Sequence, residues 1–210
     1  MSLSLFDGVD TPAPVGSFAD PQAFWRAASA WFGHATAPCL HVAWIESPLG
    51  ALITAATDDG IVMLEFNDDR RLKRQVGDLC RHLGQGAVLV DNAHLQQLRA
   101  QLAQYFAGQR RAFDLPLIVP GSAFQQQVWS ALGEIPYGQT RSYEDMATRI
   151  GRSGACRAVG TANGRNRISI VIPCHRVQNK SGGLGGYGGG LWRKSYLLDL
   201  ERRVAARAQK

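Results

Sequence analysis

A cysteine, a histidine and an arginine stand in a row at residues 174–176, directly after the run Ile168-Ser169-Ile170-Val171-Ile172-Pro173. The apolar run reads as a buried strand over Ile168–Ile172, and Pro173 cannot continue a sheet ladder, so the chain must break there. The Cys174 thiol then sits at the mouth of a rigid element with basic groups beside it, where a thiolate, the nucleophilic form, can be held. His175 is a candidate base for that thiol, and Glu201 a candidate acid to orient the base. A cysteine–histidine pair steered by a third polar group is a general arrangement for activating a nucleophile. Taken alone, the same run also describes a buried core cysteine followed by a basic loop.

The chain has 210 residues, 45% of them hydrophobic, which allows one or two domains with a substantial core. No apolar run approaches a membrane span, and Met1–Asp20 lacks the basic-then-apolar pattern of a secretory signal. Four widely spaced cysteines, Cys39, Cys80, Cys156 and Cys174, form no Cys-x-x-Cys pair. They indicate neither a disulfide framework nor a four-cysteine zinc site, and a cytoplasmic location follows as the expectation. The net charge of +6 is unevenly spread: residues 1–40 hold three acids and one base, 41–120 nine acids and eight bases, and 121–210 five acids and fourteen bases. A polyanionic partner for the last part is the natural reading, with solvated surface arginine as the alternative.

Residues 1–40 read as an extension with one helix, in which Asp20-Pro21 starts a run carrying Phe24, Ala27, Ala28, Trp31 and Phe32 at helical spacing. Residues 41–118 read as a small α/β domain. Strands are expected at His41–Ile45, Ala51–Ala56 and Ile61–Phe66, the last two joined by the hairpin signal Asp58-Asp59-Gly60, with a further short strand at Ala87–Val90. Helices are expected from Arg70 to Leu83 and from Leu95 to near Gly108, followed by an extended linker over Arg110–Val119. Nothing between residues 41 and 112 resembles a catalytic cluster.

Residues 119–210 form the third part. A helix starts at Ser122, a second is capped by Ser142 with Asp145 as its capping-box partner and runs to Ile150, and a third covers Ala155–Asn163. Two short helices joined by a Gly-containing turn make a helix-turn-helix pattern. Six arginines between Arg141 and Arg167 face only Glu144 and Asp145 in number. Around Arg157 the side chains are small, which suits either close entry into a nucleic-acid groove or tight helix packing. Seven of the ten residues 181–190 are glycine, with Tyr187 among them, so this segment is a linker or a loop lying close to a ligand. A closing helix runs from Leu191 to Glu201. A thiol cannot reach a base inside a duplex, so a thiol beside DNA implies a base turned out into a pocket with aromatic surface, for which Tyr143 and Tyr187 are candidates.

Ile172-Pro173-Cys174-His175-Arg176-Val177 resembles the active-site signature of the O6-alkylguanine-DNA alkyltransferases, the methylated-DNA–protein-cysteine methyltransferases. The likeness extends to Ser142-Tyr143, Arg157-Ala158-Val159-Gly160, Asn163-Gly164-Arg165-Asn166, Gly186-Tyr187-Gly188-Gly189, and Lys194 through Leu197-Leu198 to Glu201, in family order over residues 121–201. Residues 41–112 resemble the family's variable N-terminal domain in pattern, around Ser47-Pro48-Leu49-Gly50.

The resemblance implies an α/β (α+β) fold: a small N-terminal ribonuclease H-like α/β domain, then a mainly helical winged helix-turn-helix alkyltransferase domain. It implies that Cys174 is the alkyl acceptor, His175 the base acting through a water, and Glu201 the acid orienting His175. Asn166 braces the turn that carries the active site. Tyr143 crowds the phosphate of the target nucleotide and hydrogen-bonds the departing guanine, and Arg157 fills the gap left by the flipped base. Tyr187, Val177 and Gly188 line the base pocket, while Gln125, Glu144, Arg152 and Lys180 contact the DNA backbone. The partner implied is double-stranded DNA containing O6-alkylguanine, entered through the minor groove. The protein is expected to act as a monomer, once per molecule, with no cofactor, no metal and no membrane.

The chain departs from the family pattern in places. Arg167 stands where many relatives have proline, which loosens the turn or adds a charge toward DNA. Gly188 stands where some relatives carry serine, so that a pocket hydrogen bond falls to the backbone. His34, Cys39, His41, Cys80 and His82 do not match the zinc site of some relatives. Two other readings compete: a non-catalytic binder of alkylated DNA, disfavoured by the presence of Cys174, and a helix-turn-helix regulator sensing through that thiol, for which no effector region is visible.

Overall fold

The computed structural model describes residues 16–32, 39–83 and 86–207. The first helix, α1 (Pro21–Phe32), begins where Asp20 accepts from the Ala23 amide at 2.7 Å, as the Asp-Pro pair suggested. Strands β1 (Cys39–Ile45), β2 (Leu52–Ala56), β3 (Ile61–Phe66) and β4 (Gly86–Val88) form one sheet in the order β3-β2-β1-β4. β1–β2 and β2–β3 are antiparallel, whereas β4 joins β1 in parallel, reached by the crossover helix α2 (Asp69–Leu83). Both faces are covered, which is why β2 and β3 read as continuous apolar runs. On one face Ile53, Ala55, Val62 and Met63 meet Phe24 and Ala28 of α1 and Leu72, Val76 and Leu79 of α2. On the other face Leu52, Leu64 and Phe66 join Leu95, Leu98, Leu102 and Tyr105 of α3 (Ala93–Phe106).

That second cluster does not stop at the sheet. It continues into the C-terminal helical domain through Val128, Trp129 and Leu132 of α4 (Ala123–Gly133) and Leu197, Leu200 and Val204 of α7 (Leu191–Arg207). The linker is pinned on the way, with a bridge between Leu117 and Ile61. α4 has the full capping box from Ser122 and Gln125, and α5 (Tyr143–Arg149) has one from Ser142 and Asp145. α6 (Cys156–Gly164) packs on α4, where Trp129 Nε1 donates to the Ala162 carbonyl at 2.9 Å. A two-stranded parallel ribbon, β5 (Arg141–Ser142) with β6 (Val177–Gln178), ties the start of α5 to the chain just past the cysteine. The architecture is a small mixed α/β domain followed by a helical domain, and α7 extends six residues past Glu201.

Candidate active site

The expected strand Ile168–Ile172 is not a strand. Ile168 makes a single bridge to Leu64, and the chain then curls through a tight turn in which the Ile172 amide donates to the Ile168 carbonyl at 2.9 Å. Ile170 holds φ +72°, alone among the described non-glycine residues in the left-handed region, a strain of about 1–3 kcal/mol for such a side chain. Burial of the run comes from filling the core between the two domains rather than from a sheet, and periodicity cannot separate those cases. Pro173 opens a single 3-10 turn, η1 (Cys174–Arg176), so the thiol sits on a turn rather than at a strand mouth.

Asn166 makes that turn possible. Its Oδ1 accepts from the Ile168 amide at 2.9 Å, while its Nδ2 donates to the Ile172 carbonyl at 2.9 Å and reaches Cys174 Sγ at 3.1 Å. One fully buried amide thus closes the loop on itself and touches the sulfur.

Behind the cysteine lies a fully buried acid. Glu201 Oε1 accepts from His175 Nε2 at 2.9 Å, from Arg176 Nη2 at 2.9 Å and from the Tyr105 hydroxyl at 2.8 Å; its Oε2 accepts from Arg176 Nε at 2.9 Å and the Gly138 amide at 3.0 Å. Burial alone raises this carboxyl, but His175 and Arg176 outweigh it and hold the pKa at about 2. An ionised Glu201 keeps the proton of His175 on Nε2. Burial lowers His175 below its ordinary value, so the imidazole is neutral at neutral pH, with a basic Nδ1 that has no protein partner among the described residues.

The expectation that neighbouring basic groups hold a thiolate needs correction. His175 and Arg176 are committed to Glu201. Burial pushes the Cys174 thiol up, opposed by the Asn166 hydrogen bond and more weakly by Arg71 and Lys194. At rest the group is a thiol, and the site must deprotonate it on demand. Lys194 is itself brought down to about 8 by burial, and its ammonium donates to the Val177 and Leu184 carbonyls. Lys194 was visible in the sequence as part of a motif, without a role.

The glycine-rich segment is a loop over this site. A side chain at Gly185 would meet the Tyr143 ring and hydroxyl at 3.2–3.3 Å, and on its other side Tyr143 packs by Gly160 of α6. Tyr187 stands edge-on to Phe66 at 6.0 Å. A β-carbon at Gly188 would lie 2.1 Å from Arg71 Nη1, so a side chain there would have to displace that guanidinium. Val177 is buried, with its carbonyl taken by Lys194.

Arg152 and Arg157 are exposed at the α5–α6 turn and on α6. Glu144 and Lys180, also exposed, pair with each other at 2.6 Å, and Gln125 serves the α4 capping box through its side chain, receiving the Ser122 amide at 2.9 Å. Arg167, expected to loosen the turn or face DNA, is buried: it donates to the Pro120 carbonyl at 2.5 Å and lies 3.9 Å from Asp78. The N-terminal domain, which showed no cluster in the sequence, supplies Glu65, Arg71 and Gln75 directly behind Asn166. Their contacts span about ninety to a hundred residues of sequence, so no local signal could mark them. Of the residues weighed for zinc, Cys80 donates to the Trp31 carbonyl, His82 Nδ1 lies 2.7 Å from the Asp78 carbonyl and His41 lies 3.6 Å from Asp58; His34 and the Cys39 side chain lie outside the described residues.

Two family models match the chain: the 6-O-methylguanine DNA methyltransferase ribonuclease-like domain over residues 40–119, and the 6-O-methylguanine DNA methyltransferase DNA-binding domain over residues 123–203. A methylated-DNA–protein-cysteine methyltransferase of Mycobacterium leprae is 44% identical over 163 residues, which is 78% of this chain and 93% of that one. The constitutive methylated-DNA–protein-cysteine methyltransferase of Bacillus subtilis is 42% identical over 158 residues, 75% of this chain and 92% of that one. Among solved structures, Mycobacterium tuberculosis OGT in complex with DNA superposes with a TM-score of 0.67 at 42% identity, covering 78% of this chain and 94% of that one.

Proposed function

The chain belongs to the 6-O-methylguanine DNA methyltransferase family, and from that premise we propose that it repairs DNA by moving the alkyl group of O6-alkylguanine onto its own Cys174. The observation that carries this reading is the Cys174 thiol, held at 3.1 Å by Asn166 on a turn whose next residue is tied to Glu201.

The proposed reaction draws on this geometry. His175 Nδ1 takes the Cys174 proton through a bridging water, and Glu201 stabilises the imidazolium that forms. The thiolate attacks the alkyl carbon in line. A carbon–sulfur bond forms, the bond from that carbon to O6 breaks, and the electron pair goes to the guanine oxygen. Tyr143 donates a hydrogen bond to the departing guanine, which takes up a proton. Asn166 stabilises the thiolate as it develops, so its bond is stronger in the transition state than in the resting thiol. The thioether product is stable, because dealkylating it would mean expelling a thiolate from an unactivated carbon, and no second thiol among the described residues is placed to attack it, so each molecule acts once.

The substrate base must leave the duplex to reach a buried sulfur. Tyr187, Val177 and Gly188 then line its pocket, and Arg157 plugs the stack from α6, whose small residues allow close entry to the minor groove. In this reading Arg152, Lys180, Glu144 and Gln125 contact the DNA backbone. The proposed division is an extension over residues 1–40, an α/β domain over 41–118 and the DNA-binding and transfer domain over 119–210. The protein works as a cytoplasmic monomer on double-stranded DNA.

The test is one incubation with a duplex holding a single O6-methylguanine. The intact protein gains the mass of one CH2 unit, mapped to Cys174, and Cys174→Ala gains nothing. An unmodified wild-type protein and an intact lesion would overturn the reading.

A further inference from the structure

The turn that carries Asn166 is held from behind by the other domain. Arg71, on α2, forks onto Glu65 of β3, with Nε to Oε2 at 2.5 Å and Nη2 to Oε1 at 2.8 Å. The same guanidinium donates to the Gly164 carbonyl at 3.2 Å and to the Asn166 carbonyl at 3.0 Å. Gln75, one turn further along α2, also donates to the Asn166 carbonyl, at 3.3 Å. The Leu64 amide donates to the Arg167 carbonyl at 2.8 Å, the Ser169 amide to the Leu64 carbonyl at 2.8 Å, and the Ser169 hydroxyl to Glu65 at 3.3 Å. Every backbone polar group just named on residues 164–169 is therefore satisfied by β3 or α2. This leaves the Asn166 side chain free to point the other way, onto Ile172 and Cys174 Sγ.

Arg71 also lies directly under the glycine-rich loop, at the place where a side chain on Gly188 would begin. One buried guanidinium thus sets the height of the loop bearing Tyr187 and the position of the turn bearing Asn166. A planar fork with five donors can do this, whereas an ammonium cannot. Burial lowers the Arg71 pKa and the Glu65 carboxylate more than offsets this, so the charge stays fixed.

We propose that Arg71 is a positioning residue for alkyl transfer, fixing the Gly164–Asn166 turn against Glu65 so that the Asn166 amide is held on Cys174 Sγ. This rests on the alkyl-transfer reading for its biological meaning, though not for its chemistry: the N-terminal domain sets the reactivity of a thiol in the C-terminal one. Arg71 makes no hydrogen bond to the sulfur; beside a weak direct electrostatic pull on the thiol, which Arg71→Lys retains, it acts through Asn166.

The experiment uses the full chain and two reactions. The first is alkylation of Cys174 by iodoacetamide, in which the thiolate sulfur displaces iodide, followed by peptide mass mapping across neutral to alkaline pH. The second is single-turnover methyl transfer from the O6-methylguanine duplex. The variants are Glu65→Gln with Arg71→Met, which removes both buried charges together, and Arg71→Lys, which keeps the charge and loses the fork. Leu98→Ala, in the α3 core, is the control for a general loss of stability. Expected is an upward shift in the pH midpoint of the Cys174 reaction in both Arg71 variants, with methyl transfer about tenfold slower, as for one lost hydrogen bond to a charged group. Leu98→Ala keeps the wild-type midpoint. A wild-type midpoint in Arg71→Lys, or in the double variant where it folds, overturns the proposal. The two readings fail separately. A wild type that takes no methyl group, with the midpoint still shifting in the variants, removes the alkyl-transfer reading and leaves the positioning role. Normal transfer with no shift does the reverse.

Discussion

Asn166 and Cys174 are joined by a 3.1 Å contact from amide nitrogen to sulfur, and the same side chain closes the turn at Ile168 and Ile172. The bond that activates the thiol and the bonds that shape its loop come from one residue. Replacing Asn166 by Asp is isosteric, but it loses the donor to the Ile172 carbonyl and puts a carboxylate on the sulfur, raising an already raised thiol further. Methyl transfer should slow by about a hundredfold, the scale of losing one preorganised donor, measured in single-turnover assays. Asn166→Ala should additionally lower unfolding stability by about 1–3 kcal/mol through its orphaned carbonyl and amide partners.

Glu201 ties stability to pH. Its folded pKa of about 2 lies below the ordinary 4.5, so the unfolded chain binds the proton first as pH falls. The contribution is complete above the ordinary value and is lost as pH drops from there through about 2, amounting to about 3 kcal/mol. The lowered pKa of His175 acts in the same direction, beginning below its ordinary 6.5. Glu201→Gln should be less stable than wild type at neutral pH and show a flatter stability profile in acid, read by denaturant unfolding across pH. Its methyl transfer should also fall, because His175 loses its orienting partner.

Arg157 is exposed on α6, beside the buried Val159 that anchors the helix. Arg157→Ala should bind an undamaged duplex with nearly wild-type affinity and repair slowly, because the extruded state loses its plug. Equal single-turnover rates for variant and wild type would count against the role.

Arg167 offers a clean contrast with a surface arginine. Buried between Pro120 and Asp78, it should contribute to stability and little to DNA affinity. Arg167→Ala should lower stability by about 1–3 kcal/mol and leave the salt dependence of DNA binding unchanged. A phosphate-contacting arginine would instead reduce the logarithmic salt slope by about 1.

Much of the local structure was legible in the residues. Ser142 with Asp145 three positions on announced the start of α5, since a capping box is a bond within one turn, and the helix expected from Ser122 is α4. The β2–β3 hairpin was announced by its Asp-Gly turn. The run Ile168–Ile172 was misread because an apolar segment buried in a turn and one buried in a strand have the same composition. The sense of Arg167 was missed for a related reason: charge is written in the sequence, while exposure is not.

What the sequence by itself determined was the chemistry of the site: a cysteine, a histidine and a distant acid in an order and spacing that resemble one family, on a chain whose basic charge is gathered in its last part. What only the tertiary structure decided was how that chemistry is controlled. Cys174 is raised rather than lowered by its surroundings, His175 and Arg176 share one acid, and Arg71 reaches across from α2 to hold Asn166. Each of these depends on burial and on contacts between residues far apart in the chain. Desolvation and long-range hydrogen bonding exist only once the two domains have packed around a common core.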